Sequence, residues 1–146
     1  MTWSPDLPPI AADPQLIGAA VTNLILNACE AMGDSGGRLV LGLCERMAPR
    51  PARAVRVGAD AADAAASAPL AREIVLSVSD TGPGIAPELR EKIFYPFFTT
   101  KQQGSGVGLA QVQKIAVGHG GSVALECRAG GGCTFRVHLP VEPEPA

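Results

Sequence analysis

Aromatic residues make up only 4% of this 146-residue chain, so a core must be built from aliphatic side chains. Charge is also sparse: 12 Lys and Arg stand against 14 Asp and Glu, a net charge of −2. That balance removes the electrostatic case for binding nucleic acid. No apolar run approaches the roughly 18 residues that suggest a membrane span. The opening stretch MTWSPDLPPI has neither the basic nor the apolar region of a secretory signal. Four cysteines occur, at 29, 44, 127 and 133, with no CxxC pair, and His119 and His138 lie outside metal-like spacing of them. Separate thiols in a reducing compartment are therefore expected, and a Cys127–Cys133 disulfide requires that their strands pair.

What remains is an apolar fraction of 47%, which is globular rather than disordered, at a length that suits one domain. DPQLIGAAVTNLILNACEAM reads as a helix. Asp13 is a good N-cap, Pro14 suits the first turn, and Leu16, Ala20, Leu24, Ala28 and Ala31 recur at helical spacing before Gly33, Gly36 and Gly37. RLVLGLCE and EIVLSVSD read as strands. Residues 47–71, rich in Ala, Pro and Arg, read as a long mobile connection between them. APELREKIF reads as a short helix and VGLAQVQKIAVG as a clear one. SVALECR and CTFRVHLP then form two closing strands joined by AGGG, and VEPEPA has a linker composition. This order fits an α+β fold with helices on one face of a mostly antiparallel sheet.

Three segments carry chemistry. Asn23 and Asn27 lie four apart on one side of the first helix, where Asn is a poor choice. Either both satisfy local backbone groups, or their amide oxygens serve a hard cation whose remaining charge comes from phosphates. Alternation carries Asp80 onto the face of Ile74, Leu76 and Val78. There it either caps its own glycine turn or accepts from a ligand amino group; an adenine amino group would suit it and a guanine oxo group would not. Gly82 and Gly84 would let a flat base approach the backbone. GSGVGLA, residues 104–110, leads into a helix and suits an anion. It lacks the GK[ST] ending of a P-loop and the spacing of a dinucleotide fingerprint. Between these pieces, Phe94, Phe97 and Phe98 are placed either to pack the core or to pin a lid, and Lys101 to reach a phosphate.

Together these residues resemble the catalytic ATP-binding domain of bacterial sensor histidine kinases, in the gyrase/chaperone/kinase/mismatch-repair (GHKL, Bergerat-fold) ATPase superfamily. NLILNACEAM is similar to the N box, DTGPGI to the G1 box, IFYPFFTTK to the F box and GSGVGLA to the G2 box. HGGSVALECRAGGGCTFRVHLP resembles the closing strands, and the likeness runs from about residue 7 to 140. FFTTK most resembles the nitrogen-regulation group of sensors.

The resemblance implies a two-layer α/β sandwich with about three helices on a mixed sheet and a mobile lid over ATP. It implies that Asn27 ligates Mg²⁺ with Asn23 in support, and that Asp80 reads the adenine amino group. Gly82, Gly84 and Ile85 would line the base. Thr99, Thr100, Lys101, Gly104, Ser105, Gly106, Val107, Gly108 and Leu109 would form the lid and phosphate side. Thr134 would match the threonine that contacts adenine. Asn27, Asn23 and Lys101 are the expected catalytic residues.

The chain also departs from the family. Glu30 stands where some relatives carry a basic residue, and the 47–71 stretch is longer than usual. Neither His119 nor His138 resembles a phosphoacceptor motif. The dimerisation domain bearing that histidine is therefore expected elsewhere, on this protein's own longer chain or another, with a response regulator downstream. The domain is expected to be a cytoplasmic bacterial monomer without membrane contact, with a membrane-anchored sensor as one setting for it. Alternatives are a GHKL hydrolase, an anti-sigma-type serine kinase and a non-catalytic nucleotide-binding module. Hydrolases place a Glu where Asn23 stands, which disfavours the first.

Overall fold

The computed structural model describes residues 2–3, 5–49, 69–99 and 106–141. The first helix, α1 (Pro14–Met32), begins as its sequence dictates. The Asp13 carboxylate accepts from the N–H groups of Gln15 and Leu16 at 2.9 and 3.2 Å, and Pro14 fills a position that needs no donor. Ala20, Leu24 and Ala28, one stripe at spacing four, are buried, whereas Leu16 and Ala31 at the ends of the expected stripe are exposed. Over Pro14–Ser35 the chain is long and apolar enough, by length and hydropathy alone, to pass for a membrane span. Here its buried stripe belongs to the core.

A five-stranded sheet lies behind α1, in the order β1-β2-β3-β5-β4. Its strands are β1 (Thr2–Trp3), β2 (Val40–Pro49), β3 (Leu70–Ser79), β4 (Ser122–Cys127) and β5 (Cys133–Pro140). β1 runs parallel to β2, and every other pairing is antiparallel. The second helix, α2 (Gly108–Gly118), packs against α1 and the sheet. The shared core comprises Leu24, Val78, Val112, Ile115, Phe135 and Val137 with their neighbours, almost wholly aliphatic as the composition requires. Phe94 packs edge-on against Phe135, with centroids 6.2 Å apart.

Two expectations change. β2 and β3 reach into the stretch read as a connection, pairing Met47 with Arg72, Ala48 with Ala71 and Pro49 with Leu70; residues 50–68 lie outside the described residues. Ion pairs hold this end: Arg46 with Glu73, and Glu45 with Arg72. The hydrogen bond from Arg72 holds the Glu45 carboxyl below its ordinary range. APELREKIF is not an α-helix but two single 3-10 turns, Pro87–Leu89 and Lys92–Phe94. Pro96 explains the stop: the residue before a proline avoids helical backbone, and Tyr95 is extended at φ −74°, ψ 135°.

His119 ties the two helices together. Its Nδ1 lies 2.7 Å from the Ile115 carbonyl, and its Nε2 accepts from the Asp13 backbone N–H at 3.0 Å. With Nε2 accepting, Nδ1 is the nitrogen that faces the carbonyl as donor. The end of α2 is thus fastened to the start of α1, a structural role for this histidine. Replacing His119 with Ala removes both bonds and should lower unfolding stability by about 1–2 kcal/mol, read from urea denaturation; an unchanged midpoint would contradict the role.

Candidate functional site

The end of β3 organises the site. Ile74 and Val78 are buried, Leu76 packs on the core, and Asp80 follows them inward with 4% of its surface exposed. The ladder continues one step past β3, because the Asp80 N–H donates to the Cys133 carbonyl at 2.9 Å. The Asp80 carboxylate accepts from the Gly82 N–H at 2.9 Å and the Cys133 N–H at 3.4 Å. Both bonds fall on Oδ1, and Oδ2 has no protein partner among the described residues. No buried side-chain oxygen or nitrogen among the described residues lacks a partner, so Oδ2 is the atom through which this carboxylate stays open to an outside donor. The Asx turn weighed from sequence is thus present, and it uses only half of the acid.

Gly82 makes the turn fit. A Cβ there would lie 3.1 Å from Asp80 Oδ1 and 3.3 Å from the Ala31 carbonyl carbon and oxygen. The turn therefore lies against the end of α1. The Gly132 N–H donates to the Gly82 carbonyl at 2.7 Å, which joins the turn to the β4–β5 loop. Gly84, at φ +83°, lies beside Gly131 and Gly132, whose backbone a Cβ there would meet at 3.9–4.0 Å, ordinary contact distance. Ile85 is half-buried against the core, and its carbonyl accepts from Arg90 Nε at 3.2 Å.

Thr134 stands on β5, one residue past Cys133. It pairs with Ser79, and alternation turns both hydroxyls to the opposite face from the Asp80 carboxylate, where they lie 2.8 Å apart. Cys133, one residue earlier, shares the Asp80 face. Its sulfur neighbours the Ile85 backbone N–H and Cys127, and burial, with the Cys127 contact and the Asp80 charge adding to it, pushes the thiol up to about 12. Arg128 was missed altogether. Its guanidinium donates to the Asp80 carbonyl at 2.6 Å and to the Thr134 hydroxyl at 3.3 Å. It braces the backbone that carries the acid.

The asparagine pair stands on α1 as spacing requires, both residues half-buried. The Asn23 amide nitrogen donates to the Gly108 carbonyl at 3.4 Å and to Gln111 Oε1 at 3.1 Å. These bonds bring the start of α2 to the N-box helix, and Gln111 is a second residue the sequence reading missed. Val107 is exposed at the N-cap of α2, Gly108 begins that helix, and Leu109 is half-buried against the core.

Ahead of α2, the Phe97 N–H donates to the Gly106 carbonyl at 2.8 Å. Gly106 has φ +71°, and a Cβ there would lie 2.5 Å from the Phe97 carbonyl carbon, so only glycine fits. This bond closes the base of the intervening segment. Phe97 itself has φ 66° and is 79% exposed, while Phe98 is half-buried. Thr99 is exposed beside it. Thr100, Lys101, Gly104 and Ser105 lie outside the described residues.

Residues 12–143 match the family described as histidine kinase-, DNA gyrase B- and HSP90-like ATPases. The chain belongs to this ATPase family. Within it, the chain is similar to sensor histidine kinases. It is 37% identical over 139 residues to the sensory histidine kinase/phosphatase NtrB of Rhizobium meliloti, covering 94% of this chain and 34% of that protein. It is 36% identical over 132 residues to the sensor histidine kinase ZraS of Salmonella typhi, covering 90% and 23%. The chain thus spans only about a quarter to a third of these relatives. Among solved structures, the catalytic domain of histidine kinase ThkA superposes with a TM-score of 0.71 at 29% identity, over 97% of this chain and 78% of that one. The likeness to nitrogen-regulation sensors read from FFTTK agrees with the NtrB match.

Replacing Arg128 with Ala should cost about 1 kcal/mol of stability, since two hydrogen bonds from a charged donor are lost at a partly exposed position. Amide exchange at Asp80 and Cys133 should quicken more than in the β2–β3 ladder; equal protection throughout would contradict the bracing role.

Proposed function

We propose that this chain is the ATP-binding catalytic domain of a sensor histidine kinase, passing the γ-phosphoryl group of ATP to a histidine on a separate dimerisation domain. The observation that carries this is the Asp80 carboxylate, buried at the mouth of the sheet with Oδ2 unengaged. An exocyclic amino group donates to that oxygen, which suits adenine and rejects guanine. Gly82 and Gly84 keep the approach clear, Ile85 offers an apolar wall, and Cys133 stands beside the acid in the place expected of a threonine. Thr134 supports the floor through Ser79 and Arg128.

The phosphates would run from this corner toward the start of α2. There the N–H groups of the first turn, following Gly106, Val107 and Gly108, suit an anion. The donor set fits a hard cation: Asn23 and Asn27 present amide oxygens on one side of α1, and the hydrogen bonds of the Asn23 nitrogen leave its oxygen for other partners. Asn27 would ligate Mg²⁺, with Asn23 in support; when bound, the ion offsets charge on the phosphate oxygens. Lys101 is assigned the counter-charge to the phosphates, and Thr99, Thr100, Gly104, Ser105 and Leu109 the flanks of the phosphate side. The protein's own work is positioning, because the nucleophile comes from the partner domain. Asn23 is no base for water, so hydrolysis is slow. The family match, the NtrB and ZraS likeness and the ThkA superposition support this reading over a serine kinase or a hydrolase. A response regulator would receive the phosphoryl group, and the domain would act as a cytoplasmic monomeric unit of its parent sensor.

Titration with labelled ATP and GTP tests the pocket. The chain should prefer ATP, and Asp80→Asn should weaken ATP binding by about tenfold or more, because an amide donor then faces the adenine amino group. Unchanged ATP affinity in that variant would refute the adenine assignment.

A further inference from the structure

Two sulfurs beside the proposed base pocket are arranged for chemistry that phosphoryl transfer does not use. Cys127 closes β4, Cys133 opens β5, and the two are directly opposed. The backbone of Cys133 is turned the other way: its N–H and carbonyl both engage Asp80. The adjacent ladder bond, from the Arg128 N–H to the Gly132 carbonyl at 3.0 Å, closes the hairpin one step on. Cys127 and Cys133 are therefore a non-hydrogen-bonded antiparallel pair, where α-carbons approach to about 4.5 Å and side chains are closest. That spacing lies within the roughly 4.4–6.8 Å that a disulfide spans. The sulfurs, both free thiols, are 2.7 Å apart. Cys127 is partly open to solvent and Cys133 is buried against Asp80, so an oxidant has one way in.

We propose that Cys127 and Cys133 form a peroxide-oxidisable thiol pair whose disulfide weakens nucleotide binding at Asp80. Cys127, as its thiolate, attacks one oxygen of hydrogen peroxide. The O–O bond breaks, and the departing hydroxide takes up the thiol proton and leaves as water. The Cys133 sulfur then attacks the Cys127 sulfenic acid, forming the S–S bond and breaking S–O, and its proton leaves with hydroxide as a second water. Two thiols lose two electrons and one peroxide becomes two waters. The high pKa of Cys133 suits a resolving rather than an attacking thiol. The consequence falls on the pocket because Cys133 is the residue beside the Asp80 carboxylate. Oxidation removes its S–H and ties the sulfur to β4. This coupling rests on the nucleotide reading of Asp80.

The test treats the purified chain with peroxide, then alkylates, digests with trypsin and reads masses. Cleavage after Arg128 separates the two cysteines onto peptides 115–128 and 129–136, so a disulfide appears as one linked species. ATP affinity is measured in parallel before oxidation, after it and after dithiothreitol. The linked peptide should form, ATP affinity should fall about fivefold or more with the loss of one donor, and reductant should restore both. Cys127→Ser should bind ATP normally and lose the peroxide response. No linked peptide, or a linked peptide with unchanged affinity, would overturn the proposal. If the reduced chain bound no ATP, the nucleotide site itself and the coupling would fall, and the linked peptide would still decide the thiol chemistry.

Discussion

The hydrogen bond from the Asp80 N–H to the Cys133 carbonyl, one step beyond the last residue of β3, is the contact on which the site depends. It extends the β3–β5 ladder to the point where the sheet meets the loops. It fixes which side chains share a face there. Asp80 and Cys133 turn inward beneath α1; Ser79 and Thr134 turn to the opposite face of the sheet, where Thr134 is also buried. Gly82, Gly131 and Gly132 then fold over the same corner, and Arg128 clamps the backbone from outside. A buried acid survives there because this scaffold supplies two N–H groups to one of its oxygens.

Two further links hold the functional pieces in register. Asn23 reaches from α1 to the first residue of α2, and His119 at the far end of α2 returns to the cap of α1. α2 is thus fastened at both ends, to the middle and to the start of α1. A backbone hydrogen bond joins Phe97 to Gly106, just ahead of α2. Each link relies on residues whose neighbours in space are 85 to 106 positions away in α1 and α2, or nine positions away across the loop.

Much of this was legible in the sequence for local reasons. Asp13, Pro14 and the Ala20–Leu24–Ala28 stripe announce α1 without any knowledge of the rest. Period-two alternation placed Asp80 on the inner face of β3 correctly. What was not legible needed a partner strand. Whether Cys133 or Thr134 stands beside Asp80 depends on the pairing register of β3 with β5, and a shift of one residue reverses the answer. Arg128 and Gln111 carry no motif, and their roles appear only once the hairpin and helix are packed. The extension of β2 and β3 was hidden because Met47, Ala48, Pro49 and Ala71 have little strand character. Cross-strand ion pairs and the ladder itself hold that end. Where APELREKIF ends was readable in principle, since Pro96 keeps Tyr95 extended; its division into two 3-10 turns was not.

The central claim is that Asp80 Oδ2 is the adenine-reading atom. A crystal structure of the chain with a non-hydrolysable ATP analogue and Mg²⁺ tests it most directly. The account predicts the exocyclic amino group within hydrogen-bonding distance of Asp80 Oδ2, with the base edge beside Cys133 and the phosphates toward Gly108 and Asn27. A base bound elsewhere, or one whose amino group faces away from Asp80, would contradict it.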